Sequence, residues 1–171
     1  IPSNNTLIEK YLTSRNITLA CPNSLRFHPN LRHKDGEYFP AMVGEITNSL
    51  DNTFQGIHRT FLERNGTAKA PLKNQKLMLG QAKNGVVKLF EATETVALAE
   101  GIETALSVAQ MTEKPVWAAL SAGNLKSLPL PNHILSVEIF ADGDKAGKDA
   151  ATTAARKLSI EGRSVRIITA P

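Results

Sequence analysis

The sequence predicts an α/β protein, in which a parallel sheet of about four strands flanked by helices follows a small, mostly antiparallel α+β lobe. The chain has 171 residues, of which 42% are hydrophobic and 21% charged, a balance typical of globular domains large enough to bury a core. After residue 90, short apolar runs alternate with segments of helical spacing, which is the pattern of parallel strands joined by helices. Before residue 90, β-like runs are separated by short turns. We therefore predict two domains, residues 1–90 and 91–171.

The first lobe is predicted to begin with a short helix and to continue with strands. Leu7, Ile8, Tyr11 and Leu12 have helical spacing, and the turn residues 48–52 separate two β-like runs that read as a hairpin. The predicted elements are a helix within 5–15 and strands at 38–46, 53–62, 76–79 and 86–90, with a further turn at 83–85.

The second part is predicted to alternate strands and helices. The predicted strands are 95–99, 116–120, 134–141 and 164–169, and the predicted helices are 103–111 and 146–160. Because parallel sheets bind ligands beyond the carboxyl ends of their strands, the residues that follow each strand are the candidates for function.

Composition excludes several classes of protein. Cys21 is the only cysteine, so neither an internal disulfide framework nor a Cys-rich zinc module is possible. No apolar run approaches the length of a membrane span, and the start lacks the features of a signal peptide. We expect a soluble, cytoplasmic protein without membrane association. Since residue 1 is not Met, we also expect the chain to be a piece of a longer polypeptide.

Positive charge is concentrated in one segment. Residues 58–88 contain seven Lys and Arg against Glu63 alone, whereas the whole chain has a net charge of only +4. Such an excess attracts nucleic acid or polyphosphate. A solvated, Lys-rich surface hairpin is an equally open interpretation.

Carboxylates follow two of the predicted parallel strands. Glu100 comes directly after the strand 95–99, and Asp142 and Asp144 come after the strand 134–141. If these strands are neighbours, their ends lie about 5 Å apart, and each pair of carboxylates repels by about 3 kcal/mol. A divalent cation removes this repulsion, and oxygen ligands without Cys or His suit Mg²⁺ or Mn²⁺. Taken alone, the Asp-Gly-Asp turn is more typical of a solvated loop than of a metal site.

The motifs around these carboxylates resemble a known family. VALAEGIETAL (residues 96–106), SAGN (residues 121–124) and IFADGDKAGKDAA (residues 139–151) are similar to the Toprim domain of DNA primases, topoisomerases and some nucleases. DGDKAGKDAA most resembles the primase branch, and EGIETAL resembles the primase-like Toprim proteins of phages, plasmids and other mobile elements. A looser resemblance covers GIHRTFL (residues 56–62) and GTAKA (residues 66–70).

The resemblance implies roles for individual residues. Glu100 would be the acid/base carboxylate, Asp142 and Asp144 the metal-binding pair, and Gly123 would lie close to the reacting phosphate. Replicative primases tend to have an Asp four residues after the motif Glu. That position is Thr104 here and the acid is Glu103, about 100° away on a helix. Glu103 is therefore a candidate metal ligand ranked below Glu100, Asp142 and Asp144.

Basic residues supply candidates for binding nucleic acid or nucleotides. Arg59 and Lys69 are the first choices for phosphate, because Arg binds it through two donors and Lys as a point charge. Lys145 and Lys148 flank the acidic turn and either neutralise phosphate or balance neighbouring carboxylates. Together with Gly123, the predicted residues for binding nucleic acid or nucleotides are Arg59, Lys69, Lys73, Lys76, Lys145 and Lys148.

The predicted function is that of a DNA primase, a nucleotidyltransferase that uses Mg²⁺ or Mn²⁺ to synthesise primers on single-stranded DNA from nucleoside triphosphates. A replicative helicase, fused or separate, is a further candidate partner. Two alternatives stay open: a Toprim nuclease that cleaves phosphodiesters, and a non-catalytic DNA-binding module of a mobile-element replication protein. A topoisomerase is disfavoured because the only tyrosines, Tyr11 and Tyr38, lie outside the motifs. No phosphate-binding loop of the ATPase type is present.

Overall fold

The computed structural model describes residues 1–3 and 5–169, which contain nine strands and four helices. The strands are β1 (Leu25–Arg32), β2 (Tyr38–Asn48), β3 (Phe54–Phe61), β4 (Lys76–Gly80), β5 (Gly85–Lys88), β6 (Thr95–Ala99), β7 (Val116–Ala118), β8 (Ser136–Ala141) and β9 (Ser164–Thr169). The helices are α1 (Leu7–Thr13), α2 (Ile102–Thr112), α3 (Ala122–Ser127) and α4 (Lys145–Ile160). The last residues of the predicted second domain, Ala170 and Pro171, lie outside the described residues.

The second half of the chain forms the predicted parallel sheet. Its strands lie in the order β7, β6, β8, β9, and each neighbouring pair is parallel. The predicted α/β class with about four parallel strands is therefore confirmed. The strands that precede Glu100 and Asp142 are direct neighbours, with Ala99 opposite Phe140.

The first half forms the predicted antiparallel lobe. β2 and β3 make the predicted hairpin, and β4 adds to the outer side of β3. β1 pairs with the first part of β2, where the register shifts between His28 and Leu31. The sequence did not predict β1, because Pro29 interrupts the run and proline is tolerated only at edges and irregularities of a sheet.

A short strand joins the two halves into one sheet. β5 pairs with the end of β2, where Thr47 lies opposite Val86, and also with β7, where Val87 lies opposite Ala118. The sheet is thus continuous across residue 90, and the division into two domains at that residue stays a prediction.

Each face of the sheet is covered by its own apolar core. Along β6, Ala97 packs with α1, α2 and the antiparallel strands, whereas Val96 and Leu98 face the α3 and α4 side. This alternation is the two-residue period of a strand buried on both faces. The first core contains residues from both halves of the chain, among them Tyr11, Met42 and Leu106.

The described helices are short. None of those within residues 1–3 and 5–169 is long and apolar enough to cross a membrane.

Candidate active site at the carboxyl edge of the parallel sheet

Glu100 and the Asp142–Asp144 turn lie at the ends of adjacent strands. Glu100 directly follows β6 and Asp142 directly follows β8, so their backbones leave the sheet at one edge, about 4.8 Å apart in the pairing direction. Burial raises the pKa of Glu100, and the charges of Asp142 and Asp144 raise it further, while a backbone hydrogen bond from Ala122 opposes them. The predicted neighbours therefore interact electrostatically.

Helix α4 fixes the position of the acidic turn. Asp144 is its N-cap, and the Asp144 Oδ1 atom accepts a hydrogen bond of 2.7 Å from the backbone N–H of Gly147. Gly147 lies so close to the turn that a Cβ atom added to it would be 2.8 Å from the carbonyl oxygen of Asp142. Glycine at this position lets the first turn of α4 pack directly on Asp142.

The donor chemistry of this edge fits a hard divalent cation. Glu100, Asp142 and Asp144 offer only carboxylate oxygens, the ligands that Mg²⁺ and Mn²⁺ prefer. Burial, and then the charges of Asp142 and Asp144, raise the pKa of Glu100, and a bound cation would oppose these effects. Among the described residues, no three His, Cys, Asp or Glu side chains are grouped closely enough to hold a metal ion as they stand.

Glu103, on the first turn of α2, contacts groups from the first half of the chain. Its Oε1 atom accepts a hydrogen bond of 2.8 Å from the Tyr11 hydroxyl and lies 3.3 Å from the Lys69 Nζ atom. Its Oε2 atom accepts a hydrogen bond of 2.8 Å from the Lys76 Nζ atom. Although burial alone would raise it, Lys76 and Lys69 lower the pKa of Glu103 to about 2. Glu103, which the sequence predicts as the lower-ranked candidate metal ligand, therefore lies in an ion-pair network.

Lys76 connects this network with the carboxylate edge, which is the edge of the sheet that carries Glu100, Asp142 and Asp144. A Cβ atom built on Gly101, the residue after Glu100, would lie 3.9 Å from the Lys76 Nζ atom. Lys76 also lowers the pKa of Glu100, although this effect is smaller than that of burial. Of the predicted phosphate-binding residues, Lys69 and Lys76 are thus brought together at Glu103.

The other predicted basic residues lie elsewhere. Arg59 points to the face of β3 opposite Lys76, because Lys76 is paired with Thr60, the next residue along the strand. The Arg59 guanidinium donates to the Met78 carbonyl and lies 5.9 Å from the Phe61 ring centroid. Lys73 is exposed in the loop before β4.

The two lysines beside the acidic turn are both exposed at the start of α4. Lys145 pairs with Asp149 one turn along the helix, at 2.7 Å, which is the charge-balancing arrangement that the sequence left open. Lys148 is exposed on the same helix.

The Ser-Ala-Gly-Asn turn begins α3. Ser121 caps the helix, and no atom of the described residues lies within 4 Å of a Cβ added to Gly123. Asn124 donates to the carbonyls of Gly85 and Ala119 and accepts from the backbone N–H of Asn84. Asn124 therefore ties this turn to β5, a role that the sequence did not reveal.

Tyr11 is a further residue that sequence reasoning missed at the site. It was predicted only as an apolar position of the first helix, yet its hydroxyl bonds to Glu103, 92 residues away. A tyrosine on the buried face of a helix carries one polar group that needs a partner, and this is the signal that was available.

Two regions of the chain match known families. Residues 1–89 match the family described as a domain of unknown function, DUF7146, and residues 95–171 match the Toprim domain. The first match covers more than half of the chain, so the chain belongs to the DUF7146 family. The match of residues 95–171 confirms the resemblance to the Toprim domain that the sequence predicts. A search of curated proteins finds no match.

Three solved structures with a similar fold are described as primases or primase fragments. A DNA primase domain from Pseudomonas aeruginosa is 19% identical with a TM-score of 0.54, over 83% of this chain and 48% of that one. The primase fragment of the bacteriophage T7 primase-helicase protein is 17% identical with a TM-score of 0.57, over 83% of this chain and 57% of that one. The Aquifex aeolicus primase, with its zinc-binding and RNA polymerase domains, is 19% identical with a TM-score of 0.54, over 83% and 38%. This chain therefore spans about half of the first two structures and less of the third.

Proposed function

We propose that this chain is the catalytic core of a DNA primase, a nucleotidyltransferase that joins nucleoside triphosphates into primers on single-stranded DNA. The observation that carries the proposal is the position of Glu100 beside the Asp142–Asp144 turn, at the carboxyl ends of neighbouring strands in a Toprim domain of the primase type. The positive segment 58–88, which includes Arg59 and Lys73, would bind template phosphates.

Each charged group has a proposed task in this reaction. Asp142 and Asp144, with Glu100, would hold Mg²⁺ or Mn²⁺, which when bound neutralises the charge of the leaving pyrophosphate and acidifies the attacking hydroxyl. Lys69 and Lys76 would bind the triphosphate. The 3′-oxygen forms a bond to the α-phosphorus, the bond from that phosphorus to the β-phosphate oxygen breaks, and pyrophosphate leaves. Glu100 accepts the hydroxyl proton.

Primer synthesis on a single-stranded template tests the proposal. Asp142→Asn is expected to reduce incorporation of labelled nucleotides at least about 100-fold, because it removes one carboxylate of the proposed metal pair without changing the size of the side chain. Asp149→Asn is the matched control, since Asp149 is an exposed acid in α4, a few residues after the turn, and pairs only with Lys145 among the described residues. The control is expected to keep full activity.

Two outcomes would replace the proposal. Cleavage of the template without added nucleotides, lost in Asp142→Asn, would assign a Toprim nuclease. Metal-independent DNA binding without synthesis or cleavage, in the protein with all its domains present, would assign a non-catalytic module.

A further inference from the structure

Glu103 is a buried acid with an unusual set of partners. Its side chain is 11% exposed. It accepts a hydrogen bond from Tyr11 and forms salt bridges with Lys69 and Lys76, and all three residues come from the first half of the chain. The interactions are short, with the Lys76 Nζ atom at 2.8 Å and the Lys69 Nζ atom at 3.3 Å. The Glu103 carboxylate of the Toprim domain is thus paired with two lysine ammonium groups from the preceding lobe.

The network has more positive than negative charge. A buried carboxylate needs one cation for neutrality, and the Tyr11 hydroxyl already satisfies part of its hydrogen-bonding capacity. Two ammonium groups against one carboxylate leave a net charge of about +1. Both lysine side chains also keep contact with solvent, at 20% exposed for Lys69 and 37% for Lys76. A purely structural ion pair would have no need of the second lysine.

The lysines keep unused hydrogen-bond donors close to the carboxylate edge. An ammonium group has three N–H donors, and Glu103 is the only hydrogen-bond partner of the Lys76 Nζ atom among the residues that the structure describes. That atom lies next to Gly101, the residue after Glu100. The free donors are therefore available beside the place where the proposed reaction puts the triphosphate.

We propose that Glu103 is a positioning residue that holds Lys69 and Lys76 at the carboxylate edge, so that their remaining donors bind the triphosphate of the incoming nucleotide. This inference rests on the proposed function and adds to it the group that organises the nucleotide site. Glu103 does not touch the nucleotide and acts through the lysines. Without it, two like charges on flexible side chains repel each other and separate.

Binding of inorganic tripolyphosphate in the presence of EDTA tests this separately from catalysis. Isothermal titration calorimetry on the full chain is expected to show about tenfold weaker binding for Glu103→Gln and for Lys76→Met. The double variant is expected to bind no more weakly than either single variant, because both act on one arrangement. Glu113→Gln is the matched control, since Glu113 is an exposed acid at the other end of α2, and it is expected to bind as the unmodified chain does.

The same variants are then compared in primer synthesis. Positioning through the lysines predicts that Glu103→Gln raises the KM for nucleotide about tenfold, with a change in kcat of less than about threefold. Glu103→Asp keeps the charge and is expected to restore most of the loss. If the glutamine variant does not fold, the uncharged variant Glu103→Met takes its place in every comparison.

The outcomes separate the inference from the proposed function. Unchanged or tighter tripolyphosphate binding by Glu103→Gln would overturn the inference, because tighter binding would mean that Glu103 competes with phosphate. Additive losses in the double variant would also overturn it. If coupled weakening is seen but no primers are made, the proposed function fails while the positioning of the lysines stands. If primers are made with an unchanged KM in Glu103→Gln, the inference alone fails.

Discussion

His58 is a buried histidine with one unpaired ring nitrogen. It is 5% exposed on the inner face of β3, and its Nδ1 atom has no hydrogen-bond partner among the described residues. Burial, and then the charge of Lys76, lowers the pKa of His58 to about 4 from an ordinary value of 6.5. The folded chain therefore holds a neutral imidazole where the unfolded chain would become charged.

This pKa predicts that the protein loses stability in mild acid. The contribution of neutral His58 is complete above about pH 6.5 and is lost as the pH falls towards 4, because the unfolded chain then binds the proton more tightly. The full difference is about 3 kcal/mol. Urea unfolding at several pH values is expected to show this loss, and His58→Leu is expected to remove it. The exposed histidine variant His133→Leu should keep the original pH dependence, and an equal slope in all three proteins would contradict the assignment.

At the scale of elements, α4 packs closely against the acidic turn, residues 142–144. A Cβ atom on Gly147 would meet the Asp142 backbone, whereas one on Gly143 would have no atom of residues 1–3 or 5–169 within 4 Å. Neither glycine has a positive φ, so the difference between them is one of space. The first turn of α4 can therefore hold Asp142 in place only while residue 147 is a glycine.

Gly147→Ala is expected to push α4 away from Asp142. Inserting a methyl group into such a contact costs about 1–3 kcal/mol of stability. Because Asp144 caps α4 and moves with it while Asp142 stays at the end of β8, primer synthesis is expected to fall at least about tenfold. Gly143→Ala is the comparison for stability, and its midpoint of thermal unfolding should change little. Equal loss of stability in both variants would show that the close contact has no effect.

Most elements could be predicted from the sequence, because their local signals agree with the fold. The strands 95–99 and 164–169 coincide with β6 and β9, since apolar runs bounded by turn residues leave little ambiguity. The sequence does not predict β1, because apolar and polar side chains do not alternate around Pro29 and the local preference for a strand is weak. Pairing with β2 overrides that weak preference.

The acidic edge of the site could also be predicted in outline, but the Glu103 network could not. Glu100 and Asp142 follow strands directly, so the parallel order alone places them at one edge. The contacts of Glu103 join residues up to 92 positions apart and depend on how the antiparallel lobe packs on α2. No spacing along the chain contains that information.

At the scale of the whole molecule, one core spans both halves of the chain. Tyr11 and Met42 pack in the same cluster as Leu106 of α2, and β5 links the antiparallel and parallel strands into one sheet. Hydrophobic contacts shared in this way couple the stability of the two halves.

We therefore expect the chain to unfold in a single cooperative transition. Far-ultraviolet circular dichroism and the fluorescence of Trp117, the only tryptophan, should give the same urea midpoint. Leu106→Ala removes a fully buried side chain from the shared core and is expected to lower the stability by about 2–5 kcal/mol in both signals together. Two separate midpoints, or a shift in only one signal, would show that the lobes unfold independently.

The acid at position 103 and its cations lie on opposite sides of residue 90, and this limits how such proteins can be recombined. A chimera that joins residues 1–90 to a foreign Toprim domain would inherit the carboxylate edge intact. It would leave Lys69 and Lys76 without their counter-ion unless the foreign domain has an acidic side chain that reaches both lysines as Glu103 does. Successful exchange of modules therefore depends on matching one salt link across the junction as well as the catalytic motifs.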